Sequence, residues 1–265
     1  MGTTLYKNAD WIITMNEKRE KIRHGDLLIS GKEILDVGTD LEKKYEGTLK
    51  IDHVVEAEGT VILPGFVNVH HHTWQSLIRN IQATRGLKLE PWLTVMYEIY
   101  KDLNTDVARA GVYSGLGDML KTGCTTSNDL WYPHPVGVKY LVDAEIEAAA
   151  EIGIRFHPTR GFHSVPSSIV PPEVVDTKES VVEDTIRLVK KYHDRSRFSM
   201  CQVGIAPSIA QYETEDIIEA ARIDGCKAFP LFRHVLAPLL RPMIITCLIF
   251  SFGISQNTTL LTVQA

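Results

Sequence analysis

The sequence has only four cysteines, and no two of them stand in a C-x-x-C spacing. This scarcity argues against a disulfide framework and against a zinc site built from thiolates, and it favours reduced thiols in a cytoplasmic protein. The first ten residues contain no apolar run of the signal-peptide kind, so export is not predicted. An excess of positive charge is also missing, because the formal net charge is −5. That charge argues against nucleic acid as a partner.

Acidic residues are absent from the end of the chain. The sequence has 33 Asp and Glu in total, and the last of them is Asp224. Residues 225–265 carry the basic residues Lys227, Arg233 and Arg241 but no acid. A soluble surface rarely loses one sign of charge so abruptly, so this asymmetry predicts a boundary near residue 220.

Hydrophobic patterning predicts two kinds of structure before that boundary. Residues 1–60 contain short apolar runs separated by Gly-containing turns, which predicts a small antiparallel sheet with hairpins. From residue 61 to about residue 222, apolar strands alternate with amphipathic helices. This rhythm predicts an α/β fold with a parallel sheet, for which a (β/α)8 barrel of the TIM type is the natural closed form. About four β/α units fit here, whereas a complete barrel needs about 250 residues, so a partial barrel is predicted.

The predicted elements can be given by residue number. In the first region the predicted strands are 11–15, 26–30 and 33–37. In the second region they are 61–69, 124–130, 154–157 and 198–206. The predicted helices are 105–121, 136–151 and 180–193, and a fourth helix begins at Thr214.

Three consecutive histidines follow the first strand of the second region. That strand, VILPGFVNV, is almost entirely apolar, which is typical of a parallel strand covered on both faces. Side chains alternate along a strand, so His70 and His72 point to one face and His71 to the other. In a barrel both imidazoles would lie at the C-terminal mouth, where active sites are found. Such a pair can share one divalent ion, and nitrogen ligands suit Zn²⁺ or Fe²⁺. A solvated polar loop is the alternative.

These residues resemble the amidohydrolase superfamily. Residues 61–80, VILPGFVNVHHHTWQSLIRN, are similar to its first barrel strand. Three later segments follow the order and spacing of the family: GCTTSND at 123–129, GIRFHPTRG at 153–161 and VGIAPS at 203–208. The most similar branch contains 8-oxoguanine deaminase, guanine deaminase and the hydroxyatrazine hydrolases. The resemblance implies that residues 1–60 belong to a small β-sandwich, which family members build from both chain ends.

The resemblance also implies a reaction, the hydrolytic deamination of a purine-like or triazine-like ring by metal-activated water. It makes His70 and His72 the metal ligands, for Zn or Fe. It makes Gln75, Asp129, Arg160 and His163 the residues that contact a small heterocyclic substrate. On sequence alone Gln75 can equally be a polar residue at a helix start, and the other three can be members of surface salt bridges.

Tryptophans 74, 92 and 131 have two possible roles. Each could stack on a flat ring, but the buried core is the commoner place for tryptophan.

The rest of the family's catalytic centre has no counterpart in the sequence. The resemblance implies further metal ligands and acid/base residues after the fifth, sixth and eighth strands, and the chain shows no such strands. A catalytic zinc usually takes three protein ligands and a water molecule. Two histidines leave the site incomplete, so little or no activity is predicted for this chain alone. A half barrel also exposes two strand edges, so a poorly folding hybrid without function is a further possibility.

Residues from about 219 onward resemble a second family. The segments EAARIDG at 219–225 and FPLFRHVLAPLLRP at 229–242 are similar to the cytoplasmic coupling loop of ABC-transporter sugar permeases. Residues 243–254 are similar to the start of the next membrane helix, but they are fewer than the roughly 20 residues that span a bilayer. We therefore expect a short hydrophobic helical tail at 223–265, with contact to a membrane only through that tail.

Two origins of the tail stay open. In the first, two genes were joined near residue 220, by genomic rearrangement or by misassembly of sequence fragments; in the second, the tail is a natural divergent C-terminus. A homo-oligomer is a further possibility on the sequence alone.

Overall fold

A five-stranded sheet comes first in the computed structural model, which describes residues 2–207. Its strands are β1 (Thr3–Ile13), β2 (Lys21–Ser30), β3 (Glu33–Gly38), β4 (His53–Glu56) and β5 (Val61–Ile62). Strand β2 pairs antiparallel with β1 and β3, as the hairpin pattern predicted. Strands β4 and β5 instead run parallel to β1. The sheet is mixed because the chain crosses back through the short helix α1 (Leu41–Lys44) before it forms β4.

The described residues form one sheet where a portion of a small β-sandwich was predicted. Small apolar clusters lie on this sheet, one built around Leu5, Leu28 and Leu41 and the other around Ile12 and Leu27. The resemblance draws the remaining sandwich strands from the C-terminal end of the chain, which lies outside the described residues. The sandwich is therefore reduced to a single sheet in the part of the chain that the structure describes.

A four-stranded parallel sheet follows, in the order β6-β7-β8-β9. Its strands are β6 (Phe66–Asn68), β7 (Cys124–Trp131), β8 (Arg155–Phe162) and β9 (Gly204–Pro207). The helices α3 (Thr105–Lys121), α4 (Leu141–Ile152) and α5 (Lys178–Tyr192) connect successive strands, and α2 (Leu89–Tyr100) is an extra helix before α3. Short 3-10 helices lie at Thr73–Leu77, Gln82–Thr84 and Pro172–Val174. The predicted α/β fold with a parallel sheet is confirmed.

Local backbone chemistry explains where the elements agree with the prediction and where they differ. Helix α3 has the predicted bounds because the Asn104 side chain caps its first turn, accepting from the N–H groups of Asp106 and Val107. Helix α4 begins later than predicted, after Tyr140, which has a left-handed backbone conformation with φ of 66°. Strand β9 begins at Gly204, later than predicted; Phe198, where the predicted strand starts, has a left-handed φ of 63°, and Cys201 forms an isolated bridge to Phe156. The predicted helix at Thr214 lies outside the described residues.

The predicted strand 61–69 is wrong as a single buried strand. Its first residues, β5, pair with β1, whereas β6 pairs with β7 in the other sheet. Proline 64 and Gly65 separate the two pieces. Among residues 2–207, β6 is an edge strand, and Phe66 and Val67 are 60% and 64% exposed. The apolar pattern indicated burial on both faces, but no element of residues 2–207 covers these side chains.

This exposed edge predicts self-association of the chain. An unpaired, apolar edge strand is a template for pairing with another molecule, and a lysine on the edge is the usual protection. We expect Val67→Lys to raise the monomer fraction measured by sedimentation velocity at tens of micromolar protein. Val136→Lys is the matched control, because Val136 is 72% exposed but lies outside both sheets. Equal monomer fractions in the two variants would refute the role of the edge.

Within residues 2–207, no helix combines the length and the apolar character that crossing a membrane requires.

Candidate metal centre

The three-histidine segment is held between β7 and α3. We call residues 70–74 the histidine turn. It leaves the edge strand β6 and enters the 3-10 helix that begins at Thr73. On one side, Leu130 N–H donates to the His71 carbonyl at 3.1 Å, and Thr73 N–H donates to Asp129 Oδ1 at 2.6 Å. On the other side, α3 approaches so closely that a Cβ at Gly111 would lie 2.9 Å from the Trp74 Cα. The turn is therefore fixed by backbone contacts on both sides.

The structure brings the two predicted metal ligands together. The rings of His70 and His72 have centroids 5.0 Å apart and are nearly perpendicular, at 79°. The Nδ1 atom of His72 lies 2.9 Å from the Leu130 carbonyl oxygen. A carbonyl only accepts, so Nδ1 carries the proton and Nε2 keeps its lone pair. Burial lowers the pKa of His72 to about 4, against the opposing effect of the Leu130 hydrogen bond.

These properties fit a divalent metal. At neutral pH the His72 imidazole is uncharged, and its unprotonated Nε2 is the form of histidine that binds metal ions. Nitrogen donors of this kind suit zinc and iron. His71 lies on the other side of the turn, where a Cβ at Gly115 would be 3.3 Å from its Nε2. The chain thus presents two candidate ligands, and no group of three or more His, Cys, Asp or Glu in residues 2–207 is arranged to hold a metal.

Buried tyrosines orient two of the predicted substrate-binding residues. The Gln75 side-chain nitrogen lies 3.0 Å from the Tyr100 hydroxyl and 3.5 Å from that of Tyr132. The Tyr132 ring packs edge-on against both His72 and His163, at centroid distances of 5.2 and 5.3 Å. Gln75, His72 and His163 therefore surround one aromatic ring. The Gln75 carbonyl oxygen remains as an acceptor.

His163 is a buried, uncharged imidazole. Burial lowers its pKa to about 4, and its Nε2 lies 2.5 Å from the Tyr97 hydroxyl. It belongs to the interior beside Tyr132, and the alternative of a surface salt bridge does not hold for it.

Two of the predicted substrate contacts, Asp129 and Arg160, are buried and have partners inside the protein. Asp129 has no solvent exposure and accepts from the Thr73 backbone. Arg160 is 2% exposed and pairs with Asp176 at 2.8 Å and with Asp184 at 2.9 Å. The guanidinium is held by carboxylates of α5 and of the segment preceding it. Both side chains thus make internal contacts, and their role toward a substrate stays a prediction.

The three tryptophans of the parallel region are part of the core. Trp74 and Trp131 are fully buried with ring centroids 4.6 Å apart, and Trp92 packs against the same cluster.

The sequence did not predict the roles of the buried residues in and around the histidine turn: Thr73, Tyr97, Tyr100, Tyr132 and Glu145. The sequence pattern around Glu145 could have identified it as buried. It lies in LVDAEIEAAAEI, where Leu141 and Ala149 are at i−4 and i+4 on the apolar face of α4. An acid at that position predicts a buried carboxyl group.

Glu145 and Asp129 form a buried carboxyl pair. Burial raises the pKa of Asp129 to about 8. Burial and the charge of Asp129 together raise the pKa of Glu145 well above its usual value. Two adjacent carboxyl groups in an apolar environment cannot both ionise, so the pair retains one proton at neutral pH.

The chain has a parallel β/α sheet with an imidazole pair at the C-terminal end of its first strand. It is therefore an α/β protein with a candidate metal site at the strand ends. The chain belongs to the amidohydrolase family, whose sequence model matches residues 61–225. Residues 208–263 match a second model, the binding-protein-dependent transport system inner membrane component, in agreement with the permease resemblance.

Relatives of known function span the expected branch. The chain is 30% identical over 248 residues to hydroxydechloroatrazine ethylaminohydrolase of Pseudomonas sp. (strain ADP), covering 89% of this chain and 51% of that protein. It is 31% identical to 8-oxoguanine deaminase of Pseudomonas aeruginosa, covering 63% of this chain and 38% of the relative. The chain thus spans about half the length, or less, of these relatives.

Solved structures show the same fold. Atrazine chlorohydrolase from Arthrobacter aurescens TC1, complexed with zinc, superposes with a TM-score of 0.75 at 25% identity. The match covers 83% of this chain and 51% of that chain. Guanine deaminase of E. coli matches with a TM-score of 0.64 at 20% identity, covering 85% of this chain and 51% of the other. The described α/β fold with its parallel sheet is therefore similar to about half of each of these structures.

Proposed function

We propose that this chain carries the first half of the metal site of an amidohydrolase that deaminates a purine-like or triazine-like ring, and that it is inactive by itself. The observation that carries the proposal is the His70–His72 pair, in which Leu130 fixes the tautomer of His72. The relatives' names support the substrate class, since they act on hydroxydechloroatrazine and 8-oxoguanine. In this proposal residues 1–60 are part of the small β-sandwich, 61–222 the first half of the barrel, and 223–265 a permease-like tail.

In this proposal some residues bind the metal and others contact the substrate. His70 and the Nε2 atom of His72 hold a divalent ion, zinc or iron. When bound, such an ion supplies an acidified water near neutral pH. Gln75, held by the Tyr100 hydroxyl, presents its carbonyl oxygen to a ring N–H group of the heterocycle. His163 stays uncharged beside Tyr132 and contributes a polar edge to the same wall.

The proposed inactivity follows from the number of ligands. A catalytic zinc takes about three protein ligands and keeps one position for water. The described residues offer two imidazoles, and no group of three or more His, Cys, Asp or Glu among them is arranged to hold a metal. A cytoplasmic location and a homo-oligomer remain predictions.

Zinc titration tests the metal site. We expect saturating Zn²⁺ to raise the melting temperature, because a ligand at about 100 times its Kd stabilises a fold by about 2.7 kcal/mol. His72→Ala is expected to remove this shift. His53→Ala is the control, because His53 is exposed on β4, far from the turn in sequence. An undiminished shift in His72→Ala would contradict the assignment.

Ammonia release tests the proposed inactivity. The zinc-loaded chain is incubated with 8-oxoguanine and with hydroxyatrazine, and no release above the protein-free rate is expected. Turnover that disappears in His72→Ala would show that the chain alone is an enzyme.

A permease hybrid without enzymatic function is the second candidate, favoured by the match over residues 208–263. Under this alternative the soluble part is incidental. Sequencing reads that span codon 220 are expected to reveal a junction between two genes. A single continuous native gene would reject the joining of two genes.

A further inference from the structure

Three buried residues meet at the histidine turn. Thr73, Asp129 and Glu145 come from the turn, β7 and α4, and none of them has any solvent exposure. The Thr73 N–H donates to Asp129 Oδ1 at 2.6 Å. The Thr73 hydroxyl donates to Glu145 Oε1 in a short hydrogen bond. One residue of the turn is thus held by two carboxyl groups from two different elements.

The two carboxyl groups each have one oxygen left over. Asp129 Oδ2 and Glu145 Oε2 are buried and receive no hydrogen bond from the residues that the structure describes. Leaving two such acceptors without a donor costs free energy at both. A single proton shared between the two carboxyl groups satisfies both oxygens at once, since the protonated group donates to the ionised one. A carboxylic acid paired with a carboxylate accounts for both leftover oxygens.

The Asp129–Glu145 pair contacts the backbone segment that also determines the orientation of the His72 ring. Thr73 directly follows His72, and Leu130 directly follows Asp129. The Thr73–Asp129 bond and the His72–Leu130 bond are consecutive rungs between the turn and the end of β7. A displacement of Asp129 or Thr73 is transmitted to the distance between His72 Nδ1 and the Leu130 carbonyl.

We infer that Glu145 is a positioning residue of the candidate metal centre, which acts through Asp129 and Thr73 to hold His72 with its Nε2 available. The inference rests on the proposed function for the identity of the site. Under this inference Glu145, a residue of α4, helps to orient His72, a candidate metal ligand that lies outside α4.

Histidine-selective ¹⁵N NMR tests the inference without metal. The His72 signal is assigned by its loss in His72→Gln, and the wild-type ring is expected in the Nδ1–H form. Glu145→Gln keeps a donor for Asp129 and an acceptor for Thr73, so it is expected to retain that form. Glu145→Leu keeps similar volume without either group, and a mixture of the two tautomers is expected. Unchanged tautomers in Glu145→Leu would overturn the inference.

Thr73 provides a milder matched pair, for use if Glu145→Leu does not fold. Thr73→Val has the same shape but no hydroxyl, whereas Thr73→Ser keeps the hydroxyl. We expect Thr73→Val to release the His72 tautomer and Thr73→Ser to preserve it. A wild-type tautomer in Thr73→Val overturns the inference, and folding of each variant is checked by far-UV circular dichroism.

Zinc affinity supplies the second readout. Loss of a residue that orients a metal ligand typically weakens binding about 10–100-fold, and we expect this for Glu145→Leu but not for Glu145→Gln. Equal Zn²⁺ Kd values for Glu145→Leu and wild type would overturn the inference. A wild-type chain that binds no zinc, combined with tautomer release in Glu145→Leu, counts against the proposed function and supports the positioning role of Glu145.

Discussion

Replacing Arg160 with alanine is expected to lower the free energy of unfolding by about 3–5 kcal/mol, the usual cost of removing one partner from a buried ion pair. Arg160 is 2% exposed, and its partner Asp176 has a side chain that is 6% exposed. Asp184, the second partner, is more open to solvent at 28%. Alanine leaves a cavity and, more seriously, leaves the Asp176 carboxylate buried without its cation. Urea unfolding at pH 7 measures the loss.

The same substitution is expected to make stability fall as pH rises. Burial already raises the pKa of Asp176 above its usual value of 3.8, and Arg160 opposes that effect. Without Arg160 the folded-state pKa rises further, so the folded protein binds a proton more tightly than the unfolded chain does. Stability from that protonated form is present below the unfolded pKa and is lost as pH rises through the folded pKa. Unfolding free energies at pH 5 and pH 8 should therefore diverge more in Arg160→Ala than in wild type.

Arg109→Ala is the matched control for Arg160→Ala. Arg109 also bridges two carboxylates, Glu147 at 2.8 Å and Glu151 at 2.9 Å, but its side chain is 34% exposed. Solvent screens such a pair, so a loss of less than about 1 kcal/mol is expected. If both arginine variants lost the same small amount, the buried position of Arg160 would have no special importance for stability.

Much of the parallel region could be predicted because its signals are local. The bounds of α3 follow from the Asn104 cap and apolar spacing, and His70 and His72 lie together because side chains alternate along extended chain. The division of 61–69 between two sheets could not be predicted in this way. An apolar pattern reports that a segment should be buried, but it does not say which strand lies beside it.

The same limit applies to the internal partners of the site residues. Asp129 and Arg160 lie at the ends of parallel strands, where polar residues often bind substrate. Their actual partners, Thr73 and Asp176, are separated from them by 56 and 16 residues. Residue type and strand position are the same for a substrate contact and for an internal pair, so only the three-dimensional structure separates the two.

Gly111→Ala is expected to disturb the metal site more than any other single-methyl change in α3. In a helix interior, glycine to alanine ordinarily stabilises by about 1 kcal/mol. Here the new methyl group would lie 2.9 Å from the Trp74 Cα and 3.0 Å from both the carbonyl carbon and the oxygen of Thr73. These are backbone atoms of the histidine turn, and they cannot rotate away as a side chain can. We expect a net loss of about 1–3 kcal/mol in unfolding free energy, the usual cost of overpacking.

Gly111→Ala should also weaken zinc binding. To admit the methyl group the turn must move away from α3, toward β7, and the Thr73–Asp129 and His72–Leu130 hydrogen bonds then change length together. We expect a Zn²⁺ Kd weakened by about 10-fold or more, in the range found when groups that orient a metal ligand are lost. Isothermal titration calorimetry measures this, and urea unfolding measures the stability.

Gly117→Ala distinguishes a local clash from a general property of the helix. Gly117 is in the same helix, and a Cβ there would have no atom within 4 Å. This variant should therefore show only the helix-propensity gain, up to about 1 kcal/mol, with unchanged zinc affinity. Opposite signs of the stability change for two identical substitutions six residues apart would demonstrate that the histidine turn is fixed by direct contact with α3. If both alanines stabilised the protein and left zinc binding intact, the turn would have room to adjust, and its position would depend on β7 alone.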